Sequence, residues 1–556
     1  MQKMSLNGIW DFQFLEGEHS EEECLNLSFS EMALVPGCFD ADSEYFSRRG
    51  IGVYRRKFRA AGDSRIEFQG LLLRASVYVD RKKVGGTVHA LHPFSVNLHF
   101  SEQEEEHELL VVVDSTYDER DSSLFHSFYD FYAYSGICRP VFLRSIPKKN
   151  ILERVCITVT DLDAGEIEIR VVRSHPENQP QKAECFIDGI PMGSISLKGE
   201  NFTAKFIVPN PRQWSPENPV LHTFRIQTED DSIETAFGLR VIDWKNGILS
   251  LNGHPLKLVG YNRHDSHPNF GYAMPDSMVY ADLCRIRRQG CNFIRGSHYE
   301  QSEFFLTACD RLGLLVWEEP LAWGNRESNL LDPQFCERQI SQTAEMIRRD
   351  YNHPCILLWG FMNELDSHLE SARPLIRRLV DTVHAEDPTR PATFATNKRK
   401  SDVCLDLVDV ISLNLYPGWA DEPSPVSGLS SVEPTLQEMS DFISGSSLCH
   451  KPYIISEIGA SAIRGDCSGV RWSEEYQAEL IEIAVLHALR NPRCSGISLW
   501  QFCDTKTYIQ GRARARPRGF NDKGLLDEYR RPKLAWRKMT EIMRKFQEEK
   551  RSEEQP

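Results

Sequence analysis

The sequence predicts a multidomain protein, two β-rich regions followed by a (β/α)8 barrel. Three observations carry that prediction. The chain has 556 residues, too many for one hydrophobic core, so about two to four domains are needed. Up to about residue 243 its apolar residues alternate with polar ones at the period of a strand,. From residue 249 onward, strand-like runs alternate with helical ones, the signature of a parallel α/β layer,.

The composition narrows the function classes. Hydrophobic residues are 41% and charged residues 26%, ordinary for a soluble globular protein. A formal charge of −15 argues against nucleic acid or an anionic membrane as the main partner. The opening MQKMSLNGIWDFQF lacks the apolar core of a signal peptide, and no stretch is long enough to span a bilayer,. The 15 cysteines are scattered, with no CxxC, so reduced core thiols in a cytoplasmic protein are expected. There is no Walker loop, no GxGxxG after a strand and no HExxH,. The acidic tail from Glu548 to Pro556 is expected to fray,.

The first region is assigned to residues 1–147. Arg65-Ile66-Glu67-Phe68 and Ala75-Ser76-Val77-Tyr78-Val79 alternate like half-buried strands, with a turn at Asp80–Lys83,. Leu109–Val113 is a fully apolar strand. Between Phe125 and Pro140 lies FHSFYDFYAYSGICRP, dense in aromatic rings, with Asp130 its single acid. Rings with one polar handle suit the face of a sugar; a sheet-packing loop is the plainer alternative. The second region, 148–243, repeats the β style. Residues 166–172 alternate, prolines 209, 211, 216 and 219 mark loops, and residues 222–227 alternate again. A small β-sandwich fits that length.

The third region is assigned to 244–556. Asn252-Gly253 is a tight hairpin signal,. Eight strand candidates then begin at Leu256, Asn292, Leu314, Ile356, Thr393, Val410, Tyr453 and Ile497, with helices such as 276–289 and 302–311 between them. Eight βα units in about 300 residues is the size of a (β/α)8 barrel. A doubly wound sheet is the alternative, but polar residues at so many strand ends favour the barrel. Those ends read Asn262-Arg263-His264-Asp265, Arg295-Gly296-Ser297-His298-Tyr299, Glu318-Glu319, Asn363-Glu364, Asn414-Leu415-Tyr416, Glu457 and Trp500-Gln501-Phe502.

Two of these ends matter most. Ile356–Trp359 is an unbroken apolar run that ends in Asn363-Glu364, and Tyr453–Ser456 runs into Glu457. An ionisable Glu where a buried strand leaves the core is costly unless something uses it. Either alone reads as a helix-start residue. Two carboxylates at the catalytic face of one barrel are what glycoside hydrolysis needs.

At these residues the sequence resembles glycoside hydrolase family 2, and within it the β-glucuronidases. The likeness covers nearly the whole chain. LNGIWDF (6–12) resembles the family's opening strand, and FGLR (237–240) with LNGHPLKLVGYNRHD (251–265) its passage into the barrel. NHPCILLWGFMNE (352–364) and ISEIGA (455–460) are similar to its two catalytic segments. The resemblance implies a jelly-roll-like sandwich, an immunoglobulin-like sandwich and the barrel. It implies that Glu364 is the general acid/base and Glu457 the nucleophile of a retaining β-glycosidase, and that Asn363 binds the sugar 2-hydroxyl. The expected sugar-binding set further includes Asp130, His264, His298, Asn414, Tyr416, Trp500, Arg518, Asn521 and Lys523. Neither metal nor organic cofactor is implied. The implied partner is a small glycoside, and relatives are often dimers or tetramers, so a homo-oligomer is expected.

The sugar class rests on FNDKG (520–524), which resembles the Asn-x-Lys motif that holds a uronic carboxylate in β-glucuronidases. A lysine and an amide can give charge-assisted hydrogen bonds to a carboxylate. Arg512, Arg514, Arg516 and Arg518 make the preceding loop a local positive field. Tyr129-Asp130-Phe131 resembles the segment that reaches from the first domain into the active site, where Asp130 would hold a sugar hydroxyl. Two departures stand out. Ala420 replaces a tyrosine frequent in β-glucuronidases, which keeps a β-galacturonidase or dual-epimer enzyme open. The stretch from Trp317 to Asp350 is short, which implies an open entrance. The rival readings are a neutral-sugar β-galactosidase or β-mannosidase, and a non-catalytic carbohydrate-binding protein.

Overall fold

The computed structural model describes residues 3–42, 44–116, 130–420, 428–508 and 516–554. The aromatic stretch before Asp130, including Tyr129, and loop arginines 512 and 514 lie outside the described residues.

The first region is two antiparallel sheets. One has four strands, 3–5, 141–145, 63–68 and 94–99 in spatial order, and the other six, 31–35, 8–16, 50–60, 105–114, 74–79 and 82–87. Alternation explains their packing. In Gly8–Glu16 the side chains of Trp10, Phe12 and Phe14 are buried while their neighbours are not, so every second residue faces the partner sheet. Phe58, Ile66, Phe68, Val111 and Val141 complete the core between the sheets. The second region is smaller, with sheets of three and four strands around Ile167, Ile169, Val171, Phe224 and Ile226.

A short antiparallel sheet (Ile242–Asp243, Ser250–Leu251, His254–Pro255) leads into the third region. Its turn is the expected Asn252-Gly253, both at positive φ, 52° and 79°, the conformation that pair adopts readily. The chain then forms a closed barrel of eight strands, all neighbours parallel: Leu258–Arg263, Phe293–Gly296, Leu315–Glu318, Ile356–Asn363, Ala392–Thr396, Ile411–Asn414, Tyr453–Ile458 and Cys494–Leu499. Each is buried along its whole length, which explains the continuous apolar runs. The eighth strand begins three residues before its expected start, because Cys494-Ser495-Gly496 is small and carries no strand signal. Helix Leu534–Glu554 extends into the acidic tail as far as Glu554; its buried residues Met539, Ile542 and Met543 precede that tail. Among the described residues no helix is long and apolar enough to cross a membrane. All fifteen cysteines are free thiols.

The second sandwich braces the start of the fourth barrel strand. The Asn352 amide donates to Val155 O at 2.7 Å and accepts from Ile157 N at 2.9 Å. The Arg240 guanidinium donates to Pro354 O at 2.8 Å and Ile356 O at 3.2 Å. Trp214 is fully buried and donates its indole N–H to Asp310 O at 2.9 Å. Within the strand, Gly360 is required by packing: a Cβ there would lie 2.0 Å from the Trp317 indole nitrogen. The fourth strand is therefore fixed at its root and along its length before it delivers Asn363 and Glu364.

Candidate active site

Arg295, at the end of the second barrel strand, is the hub. It is fully buried and stacks on Trp317, 4.4 Å from the ring centre. A buried guanidinium needs carboxylates, and it has two. It donates twice to Glu319, both bonds at 3.0 Å, and once to Glu457 Oε1 at 2.8 Å. It also donates to Asn363 Oδ1 at 2.9 Å. Sequence reasoning placed Arg295 and Glu319 at strand ends but assigned them no part in the site. The signal was present, since a lone arginine inside the apolar run 293–296 has to be paired.

Glu457 is 3% exposed. Its second oxygen accepts from the Tyr416 hydroxyl at 2.6 Å. Burial pushes its pKa above the ordinary carboxylate value, opposed by the Arg295 charge and the Tyr416 and Arg295 hydrogen bonds. Burial outweighs the partners here. Glu364 differs. It sits at φ 53°, a left-handed conformation costly for a glutamate. It is half-buried and accepts one amide bond, from Asn414 Nδ2 at 3.0 Å. Burial first, then the charge of Glu457, pushes it up to about 7. The two carboxyls are thus separated by their partners: Glu457 has a cation and a hydroxyl, Glu364 a single neutral amide.

Around the pair, the structure distinguishes committed from open polar atoms. Asn414 spends one amide hydrogen on Glu364 and the other on Asn363, both at 3.0 Å, and accepts from Ser456 at 2.8 Å. It orients Glu364 rather than presenting a free donor. Asn363 Nδ2 and His264 Nε2 are buried and have no hydrogen-bond partner among the described residues. His264 is held by the Tyr299 hydroxyl at 3.2 Å and by Phe131, 4.8 Å between ring centres. His298 stacks on Trp500 at 5.1 Å and 17°. Burial pulls both imidazoles far below the ordinary histidine value, and His298 Nδ1 lies 2.9 Å from a Glu319 oxygen.

On the far side of the site the first region meets the loop after strand eight. Asp130 is gripped by Arg516 through both of its oxygens and accepts from Asn521 Nδ2 at 2.9 Å. Lys523 is 5% exposed, its ammonium 5.6 Å from the centre of the Tyr416 ring. Among the described residues that ammonium has no ion-pair partner. Burial first, then Arg516, pulls it down to about 8, while Asp130, Glu457 and Glu364 oppose the shift. Arg518 is not brought into this cluster. It turns away to Glu528 and Asp522, 2.8 Å from each, and neutralises those buried acids. Arg516, one of four alternating arginines in that loop, takes the position beside Asp130 instead. The stretch after strand three forms helices Glu327–Leu330 and Pro333–Asp350, and Trp323 pairs by a β-bridge with Asn363, so it borders the site. A separate cavity of about 1110 Å³ between the first sandwich and the flank of the barrel contains none of these carboxylates.

Comparison with known proteins gives the family. The structure of a family 2 β-galacturonidase from Eisenbergiella tayi bound to galacturonate superposes with a TM-score of 0.89, at 34% identity, over 98% of this chain and 97% of that one. A β-glucuronidase of Streptococcus agalactiae is 27% identical over 584 residues, 95% of this chain and 94% of that protein. A protein of Formosa agariphila described as a putative β-glucuronidase is 27% identical over 84% of this chain, which spans about 60% of its length. The family model for Glycosyl hydrolases family 2, TIM barrel domain, matches residues 242–548, and the preceding Glycosyl hydrolases family 2 model matches 154–240. With the larger match covering more than half of the sequence, and the eight-stranded barrel beneath it, this chain belongs to glycoside hydrolase family 2.

Proposed function

We propose that the protein hydrolyses β-D-hexuronides with retention of anomeric configuration. The observation that carries this reading is the unequal treatment of two carboxyls at one barrel mouth. Glu457, bonded to Arg295 and Tyr416, is the nucleophile. Glu364, pushed up to about 7, keeps the proton a leaving group needs. In the first step a Glu457 oxygen bonds to the anomeric carbon as the bond to the leaving oxygen breaks, and the Glu364 proton passes to that oxygen. In the second, water attacks the anomeric carbon, Glu364 takes its proton, and the Glu457 carboxylate leaves. The open atoms Asn363 Nδ2 and His264 Nε2 suit hydroxyls of the sugar. Asn414, Tyr416, His298 and Trp500 hold the reacting groups and the wall of the pocket.

The uronic class is supported by Lys523. A buried ammonium that pairs with no carboxylate among the described residues, beside the Asp130–Arg516–Asn521 cluster, is suited to receive one. Lys523→Ala should lower kcat/KM about 10- to 150-fold on uronides, the loss of one hydrogen bond to a charged group. The matching neutral hexoside should be turned over no worse. Equal losses on both would leave a family 2 glycosidase of another sugar. A panel of nitrophenyl glucuronide, galacturonide, galactoside and glucoside tests the class directly, and no turnover of any of them would point to a binding protein. Within the class, the 27% relatives favour the glucuronide. The galacturonide is favoured by the 34% likeness to the Eisenbergiella tayi enzyme and by Ala420. We further propose a cytoplasmic location, which fits fifteen free thiols,.

A further inference from the structure

We infer that Arg516 sets the preference between the two C4 epimers of the sugar by fixing Asp130. The inference rests on the hexose-cleaving site proposed above. The anomeric carbon must lie at Glu364 and Glu457. Asn521 and Lys523 mark the opposite end of the ring, where C6 is held, and Asn521 Nδ2 bonds Asp130 at 2.9 Å. On a pyranose the carbon beside C6 is C5, which bears no hydroxyl, and the next ring carbon is C4. A carboxylate that shares a donor with the C6 site therefore faces the C4 hydroxyl. C4 is the one centre at which glucuronate and galacturonate differ, equatorial in the first and axial in the second.

Asp130 belongs to the first sandwich's chain segment and is half-buried. Its orientation comes from across the domain boundary. The Arg516 guanidinium meets both carboxylate oxygens, one of them at 2.9 Å from Nε, as the fork-to-fork geometry of arginine allows,. Asn521 meets the second oxygen from the side. With three donors in place, the lone pairs left for a sugar hydroxyl have a fixed direction. An axial and an equatorial hydroxyl approach from different directions, so a fixed carboxylate favours one of them. Arg516 is thus a positioning residue that acts through Asp130 and need not touch the sugar.

The test is the ratio of kcat/KM for nitrophenyl galacturonide to that for the glucuronide in the full-length enzyme. Arg516→Gln should move this ratio about tenfold, the scale of a charge-assisted hydrogen bond gained or lost. Arg516→Lys keeps the charge without the fork and should give an intermediate shift. Asp130→Asn should move the ratio in the same direction as Arg516→Gln. The double variant should move it no further than Asp130→Asn alone, since two residues acting as one unit are not additive. A ratio within twofold of wild type in Arg516→Gln, whatever the loss of overall rate, overturns the inference, and so do additive shifts in the double variant. Should the Gln variant fail to fold, as read by its melting temperature, the Lys variant carries the same comparison. If wild type cleaves neither uronide but does cleave neutral hexosides, the uronide reading fails. The epimer inference is then decided on the galactoside-to-glucoside ratio.

Discussion

Glu364 carries opposite consequences for catalysis and for stability, and both are measurable. Its folded-state pKa is raised, chiefly by burial, from the ordinary 4.5 to about 7. Below the ordinary value folded and unfolded chains both hold the proton, and the group contributes nothing. Between the two values the folded protein keeps a proton that the unfolded chain has released, so stability falls as pH rises through that window. Glu364→Gln should therefore raise the melting temperature at pH 8 and leave it nearly unchanged at pH 4.5; an equal gain at both would show that the carboxyl is not strained by its charge. For catalysis the retained proton is the useful state. Initial rates on a poor leaving group, such as a methyl glycoside, should decline above pH 7 about tenfold per pH unit, and Glu364→Gln should abolish that limb. Arg295 sets the opposite requirement. Its removal leaves Glu319 and Glu457 buried without a cation, a loss of about 3–5 kcal/mol, and denaturant unfolding of Arg295→Ala should register it along with a fall in kcat.

Among the elements, the fourth strand has the least room for change. A methyl group at Gly360 meets the Trp317 indole nitrogen at 2.0 Å, and Trp317 in turn carries the Arg295 guanidinium. Gly360→Ala should cost about 1–3 kcal/mol of stability and also lower kcat, because the displaced indole moves Arg295. Loss of stability with unchanged kcat would show the two are uncoupled. The strands were legible in the sequence because a parallel barrel buries both faces, and that burial writes an unbroken apolar run before each polar end. Seven strands began within two residues of their expected starts; the eighth was shortened in the reading by its small residues at 494–496. Glu364 and Glu457 were legible for the same reason, as charges at the end of buried strands. Arg516 was not. Arg512, Arg514, Arg516 and Arg518 look alike in sequence, and only the fold shows that Arg518 turns to Asp522 and Glu528 while Arg516 reaches Asp130. The commitment of Asn414 to Glu364 was equally invisible, since a strand-end asparagine reads the same whether its amide faces protein or ligand.

At the scale of the whole molecule, the site is shared between the barrel and the first sandwich. Asp130 and Phe131 come from the first region and contact Arg516, Asn521 and His264 of the third. Backbone bonds fasten that segment to the loop after strand eight, Tyr132 N to Lys506 O at 2.8 Å among them. We propose domain boundaries near residues 147 and 243, with the barrel unable to work alone. A chain starting at residue 244 should lose uronide turnover even where it folds, and full activity of that fragment would contradict the proposal. The first sandwich also presents Ile9, Met32 and Leu34 on adjacent strands, all more than 60% exposed. Association through that row fits the expected homo-oligomer, and light scattering on wild type and Leu34→Asp checks it: a dimer or larger that falls to monomer supports the row as interface. The central claim is double displacement through Glu457 with Glu364 as acid/base, and the configuration of the first-formed product tests it most directly. Proton NMR during early hydrolysis of a nitrophenyl β-hexuronide should show the β-anomer of the free uronic acid first, with the α-anomer appearing only as mutarotation proceeds. An α-anomer formed first would mean inversion, and Glu457 would not be the nucleophile.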